Sequence, residues 1–151
     1  MPTCFLDSSA LAKRYLDEPG TARVIELFDS GAQIIVSRLA QVEIASAVVR
    51  RARAGGLSAE LQELVLRALD EDLRSSLRVV ELSGAVVSRA VDVVRRHGLR
   101  AADAIQLACA LVSRDDPTSA RFVCSDVELC HAAAREGFSV VDPSRSIDDA
   151  D

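Results

Sequence analysis

Four acidic residues stand where a carboxylate could do chemistry: Asp7, Glu43, Asp103 and Asp126. Asp7 ends the apolar run Cys4-Phe5-Leu6, and Ser8-Ser9, both good helix caps, lead into an apolar-periodic segment from Ala10. Such a short unbroken apolar run fits a strand buried on both faces better than a helix. A carboxylate is therefore expected at the C-terminal end of a buried strand, the edge where open α/β sheets bind ligands. Asp126 repeats the arrangement after Phe122-Val123-Cys124. Glu43 falls in the first turns of a long helix, within Leu39-Ala40-Gln41-Val42-Glu43-Ile44-Ala45. Asp103 opens the nearly all-apolar Ala101-Ala102-Asp103-Ala104-Ile105-Gln106-Leu107-Ala108, which is expected to be a buried helix. Taken singly, each acid reads as a helix cap or a first-turn charge suited to the helix dipole. Four at one edge, two of them inside apolar runs, read together as a site.

Carboxylates crowded together raise one another's pKa unless a cation sits among them. Hard divalent cations choose oxygen ligands, and Mg²⁺ is usually held by one or two carboxylates while keeping waters and substrate phosphates. Such a centre stabilises the attacking and leaving oxygens of a phosphoryl transfer. Glycine-rich phosphate loops, Walker patterns and the G-x-S-x-G elbow are all missing from the sequence. His97 and His131 are the only histidines, and neither has a partner acid at a helpful spacing. A histidine-dependent nuclease and a zinc site are therefore disfavoured. A receiver domain would need an acid pair after the first strand and a late lysine. A haloacid-dehalogenase-type phosphatase would need an aspartate where Ser9 stands.

The elements that must position these acids alternate. The expected strands are residues 4–6, 34–36, 77–82, 122–124 and 139–141. The expected helices cover about 10–16, 21 onward with Thr21 as cap and Gly31 as stop, 39–54, 58 onward, 83–97, 102–113 and 126–135. This alternation predicts an α/β fold: one domain over residues 1–143, a central parallel sheet of about four to five strands flanked by helices, and a short flexible acidic tail over 144–151. A chain of 151 residues, 49% hydrophobic, can bury a normal core without disulfides. Cys4, Cys109, Cys124 and Cys130 show no C-x-x-C spacing and are expected to be reduced, buried thiols in a cytoplasmic protein. Nothing resembles a signal peptide or a membrane span. The net charge of −5 argues against a nucleic-acid coat protein, though not against an enzyme that reaches phosphates through metal ions.

Phe5-Leu6-Asp7-Ser8-Ser9-Ala10-Leu11-Ala12-Lys13-Arg14-Tyr15 with Glu18-Pro19-Gly20 resembles the opening of PIN-domain ribonucleases, most of all the toxins of VapBC-type toxin–antitoxin pairs. Val42-Glu43 with Ala45 and Ala47, His97-Gly98-Leu99-Arg100-Ala101-Ala102-Asp103-Ala104-Ile105-Gln106-Leu107-Ala108, and Phe122-Val123-Cys124-Ser125-Asp126 match the remaining family blocks in order, over nearly the whole chain. The resemblance implies Mg²⁺- or Mn²⁺-dependent cleavage of single-stranded or looped RNA. It implies Asp7, Glu43, Asp103 and Asp126 as the acidic site, with Ser9, or else Ser8, assisting at its edge. It also implies a homodimer and a small cognate antitoxin that blocks the site. Gln106 departs from the usual pattern and is expected to leave metal binding unaffected. Lys13, Arg14, Arg50 and Arg51, at the ends of two helices, are the expected RNA contacts, against the commoner fate of a solvated charged face. The alternatives are a PIN-type RNA-processing nuclease that is not a toxin, and a catalytically weak PIN module that binds RNA or protein.

Overall fold

A computed structural model describes residues 2–116 and 118–146. Five strands form one parallel sheet: β1 (Thr3–Leu6), β2 (Gln33–Ser37), β3 (Arg78–Val80), β4 (Ala120–Val123) and β5 (Ser139–Val141). The spatial order is β3-β2-β1-β4-β5. The chain thus steps outward from β1 to β2 and β3, then returns to add β4 and β5 on the other side of β1. The order reverses at β1 and β4, which puts the crevice of this fold at their carboxyl ends.

Register decides which side chains face which layer. Phe5 lies beside Ile35 on one neighbour and Phe122 on the other, with the Phe5 and Phe122 ring centroids 5.4 Å apart. These residues join a core built with α5 (Gly84–His97), α6 (Ala101–Ser113) and α7 (Val127–Arg135). Cys4, Leu6, Ile34, Val36 and Val123 point to the opposite face. There they join α1 (Ser8–Ala12), α2 (Thr21–Asp29), α3 (Arg38–Arg53) and α4 (Ala59–Ser75). A strand covered on both faces has no polar face to show, which is why these strands read as continuous apolar runs.

Several boundaries differ from the sequence expectation. The first helix begins at Ser8, because Asp7 rather than a serine is its cap, and it ends at Ala12. The chain then tightens into turns as Arg14 Nε and Tyr15 Oη both donate to Asp72 Oδ2 of α4, at 2.8 and 2.7 Å. Gly20, in the left-handed region at φ 97°, takes the cap position expected for Thr21. A Cβ there would meet the Pro143 carbonyl oxygen at 2.6 Å, so this glycine also lets the C-terminal segment pass. The third strand is shorter than residues 77–82. Residues 144–146 stay close to the body, with Arg23 Nη1 donating to the Arg145 carbonyl at 2.8 Å. Residues 147–151 of the expected tail lie outside the described residues.

The cysteine expectation holds for Cys4 and Cys109, which are free and buried. It is corrected for Cys124 and Cys130, which the structure pairs as a disulfide, with Cα atoms 6.2 Å apart. The end of β4 and the first turn of α7 curl toward each other, so positions six apart meet without any C-x-x-C spacing. No described helix is long and apolar enough to cross a membrane.

Candidate active site at the carboxyl edge of the sheet

Asp7 leaves the end of β1 and caps α1. Its Oδ1 accepts the Ala10 N–H at 2.8 Å, and the Ser9 hydroxyl donates to both carboxylate oxygens at 2.9 Å. The residue is only 4% exposed. Burial pushes its carboxyl up to about 7; the Ala10 and Ser9 donors pull downward, and the charges of Asp103 and Glu43 add to the rise. The cap and the acid site therefore share one side chain.

Glu43 lies in the second turn of α3, which Ser37 caps at the end of β2. It sits between exposed Val42 and buried Ile44 and is itself half-buried. Its Oε1 accepts the Ser8 hydroxyl at 2.8 Å and the Gln106 amide at 2.9 Å. Asp103 falls in the first turn of α6, which the sequence delivers to this edge by a sharp reversal. Gly98, left-handed at φ 65°, ends α5, and the next helix starts at Ala101. The carboxyl of Asp103 is raised first by burial and then by the charges of Asp126 and Glu43. Arg100 opposes that rise and Glu128 adds to it. Asp126 is exposed and caps α7, its Oδ1 accepting the Leu129 N–H at 2.9 Å.

The four acids thus come within electrostatic reach of one another, Asp7 with Asp103 and Glu43, and Asp103 with Glu43 and Asp126. They do not form a closed cage: among the described residues no three His, Cys, Asp or Glu side chains converge as metal ligands. Asp7, Glu43 and Asp126 each accept hydrogen bonds from protein donors. The donor set nevertheless suits a hard divalent cation. It is all oxygen, and its buried carboxylate is held at an unfavourable charge that a cation would relieve.

The expected RNA contacts fare differently. Lys13 is buried and paired with Glu18 at 3.3 Å, and Arg14 is tied to Asp72 and stacked on the Phe28 ring at 4.0 Å. Arg51 reaches Glu18 at 3.6 Å, while Arg50 is exposed. His97 does find an acid that the linear spacing hid: its Nε2 lies 2.7 Å from Glu136 Oε1. Sequence reasoning missed Arg100, Glu128 and the bonding of Gln106. The first two adjoin Asp103 and Asp126 in sequence and could have been suspected from that alone. Gln106 lies one helical turn after Asp103, the only amide in an apolar helix, and that was its signal.

A prediction about Asp7 follows. Its folded pKa of about 7 stands above the unfolded value near 3.8, so ionisation favours the unfolded chain. In EDTA, stability should fall as pH rises from about 4 to about 7 and stay low above that. Asp7→Asn keeps the size and the cap but carries no charge. At pH 8 in EDTA it should be more stable by roughly 1–3 kcal/mol and lack that pH slope. Thermal melts across pH check this; a variant that melts lower than the parent at pH 8 would make Asp7 a structural cap alone.

Comparison with known proteins fits this geometry. The family profile of the PIN domain matches residues 4–135. Ribonuclease VapC45 and Ribonuclease VapC49, from two strains of Mycobacterium tuberculosis, are each 36% identical over 116 residues, covering 76% of this chain and 79% of theirs. A chain in a solved toxin–antitoxin complex from Klebsiella pneumoniae shares the fold at a TM-score of 0.64 and 16% identity, over 93% of this chain and 97% of that one. This chain belongs to the PIN domain family, and within it is similar to the VapC ribonucleases.

Proposed function

We propose that this protein is a divalent-metal-dependent endoribonuclease and the toxin of a toxin–antitoxin pair, acting in the cytoplasm. The observation that carries the reading is the acid set at one sheet edge, with Asp7 raised chiefly by its burial and further by the charges of Asp103 and Glu43. The likeness to named ribonucleases supports the RNA substrate. Asp7, Glu43, Asp103 and Asp126 would hold Mg²⁺ or Mn²⁺, which when bound supplies charge stabilisation at the phosphodiester oxygens and acidifies the attacking water.

The chain's own groups do the rest. Ser9 and the Ala10 N–H fix the Asp7 carboxylate. Asp103, half-buried and with its carboxyl raised above the ordinary range chiefly by burial, is the group suited to accept a proton from water. Arg100, beside Asp103, offers a cation to the scissile region. Arg50 and Arg51 lie about 10 Å further along α3 from Glu43, at the helical rise per residue, within the span of a bound RNA backbone.

We extend the reading to a homodimer and a small antitoxin. Val87, Val91 and Val94 are exposed on one face of α5 at helical spacing, which suits a second copy. Val42, 66% exposed beside Glu43, and Leu61 and Leu64 on α4 offer apolar surface to an amphipathic segment. An arginine on that segment would pair with the acids as a bidentate fork.

Three outcomes are expected. Purified protein incubated with a panel of single-stranded and structured RNAs should cleave with Mg²⁺ or Mn²⁺ and not in EDTA, and Asp103→Asn should lose about 10–100-fold or more. Equal cleavage in EDTA refutes the metal mechanism. Replacing Arg50 and Arg51 by Gln should weaken RNA binding and flatten its dependence on salt; an unchanged slope returns both to a solvated face. Expression alone should arrest growth, and co-expression with a small protein encoded beside this gene should relieve the arrest and yield a stable complex. Harmless expression and no such complex would remove the toxin role while leaving a ribonuclease possible.

A further inference from the structure

Gln106 is 2% exposed on a helix whose other buried residues are Ala104, Leu107, Ala108, Cys109, Ala110 and Ser113. An amide in such a place is unfavourable unless bonded. Its Nε2 donates to Ser8 Oγ at 2.6 Å and to Glu43 Oε1 at 2.9 Å, while Ser8 Oγ donates to the same Glu43 oxygen at 2.8 Å. The three side chains close a ring that joins α1, α3 and α6. The amide must face this way, because a carboxylate only accepts and the opposite orientation would set oxygen against oxygen. Both donors fall on Oε1, and no described residue donates a hydrogen bond to Oε2. The ring thus fixes the rotamer of Glu43 and leaves one oxygen open. The cost lies on the other side of the amide: Gln106 Oε1 is buried with no partner among the described residues. An apolar side chain of similar size would avoid that cost, so packing alone does not account for an amide here.

We propose that Gln106 is a positioning residue of the acid site, acting jointly with Ser8 to hold Glu43 in the rotamer in which it would serve the divalent cation. This rests on the metal-dependent ribonuclease reading above. A purely structural Gln106 would lose stability when replaced by an apolar residue. A positioning Gln106 would keep or gain stability and lose metal affinity.

The test uses Gln106→Met, Glu43→Gln and the double variant, with MnCl₂ as the probe and the RNA that the parent protein cleaves. Melting in EDTA should be unchanged or higher for Gln106→Met. Mn²⁺ affinity by titration calorimetry and kcat should each fall about 10–100-fold, with KM for RNA within about twofold. Added to Glu43→Gln, the Met substitution should change Mn²⁺ affinity by less than about twofold, because Gln106 acts through Glu43. If Gln106→Met fails to fold, Gln106→Asn keeps the amide but draws it back by one methylene, and the same losses are expected. Parent-like Mn²⁺ affinity and kcat in a folded Gln106 variant, with Glu43→Gln defective, would overturn the positioning role and leave the ribonuclease reading standing. A Glu43→Gln protein indistinguishable from the parent in both measurements would overturn the role of Glu43 and this inference with it.

Discussion

A carboxylate buried at the end of the central strand is the constraint around which this molecule is arranged. Water would solvate the Asp7 charge far better than the Leu6 and Ala10 environment does. The fold offsets part of that cost with the Ala10 N–H and the Ser9 hydroxyl, and these donors exist because the chain turns into a helix at that point. The rest remains as a raised pKa. The charges of Asp103 and Glu43 add to that cost. The protein thus carries a local instability at its centre, one that the proposed cation would relieve.

Capping and chemistry are not rivals here. Asp7 and Asp126 both cap helices that follow strands of the same sheet, and the switch of strand order at β1 and β4 sets those two caps side by side. A cap occupies one oxygen on one side of the carboxylate. In Asp126 the Leu129 N–H takes Oδ1, and in Glu43 the Ser8–Gln106 pair takes Oε1. The same pattern, one carboxylate oxygen held by protein donors, recurs on two residues of different length on different elements. Fixing one oxygen costs the unfolded side chain its freedom before any ligand binds.

Much of this was legible in the chain because burial on both faces writes strands as apolar runs. Cys4-Phe5-Leu6, Ile34-Ile35-Val36 and Phe122-Val123 marked the middle of the sheet, and the acids following them marked its edge. Local chemistry was less legible. The shortness of α1 depends on Asp72, 58 residues from Arg14, and no local pattern holds that information. The pairing of Cys124 with Cys130 depends on the bend between β4 and α7. Lys13 and Arg14 look like free cations in sequence, yet they are neutralised by acids from distant segments. Gln106 was visible as an oddity, but its meaning needed Ser8 and Glu43, which are 98 and 63 residues away.

The order in which the strands enter the sheet bears on how the protein comes into being. The chain emerges N-terminus first, at about 5–20 residues per second. β1, β2 and β3 can assemble with Asp7 and Glu43 in place, but β4 must then return to the opposite edge of β1, and Asp126 travels with it. A ribosome-bound chain short of that point holds three of its four acids and an open strand. That strand is apolar on both faces, the kind of edge that invites pairing with another chain. The segment from β4 onward therefore does two things together: it seals the open edge of β1 and brings in the last of the four carboxylates, Asp126. A chain ending before β4 would leave that edge open and would lack Asp126.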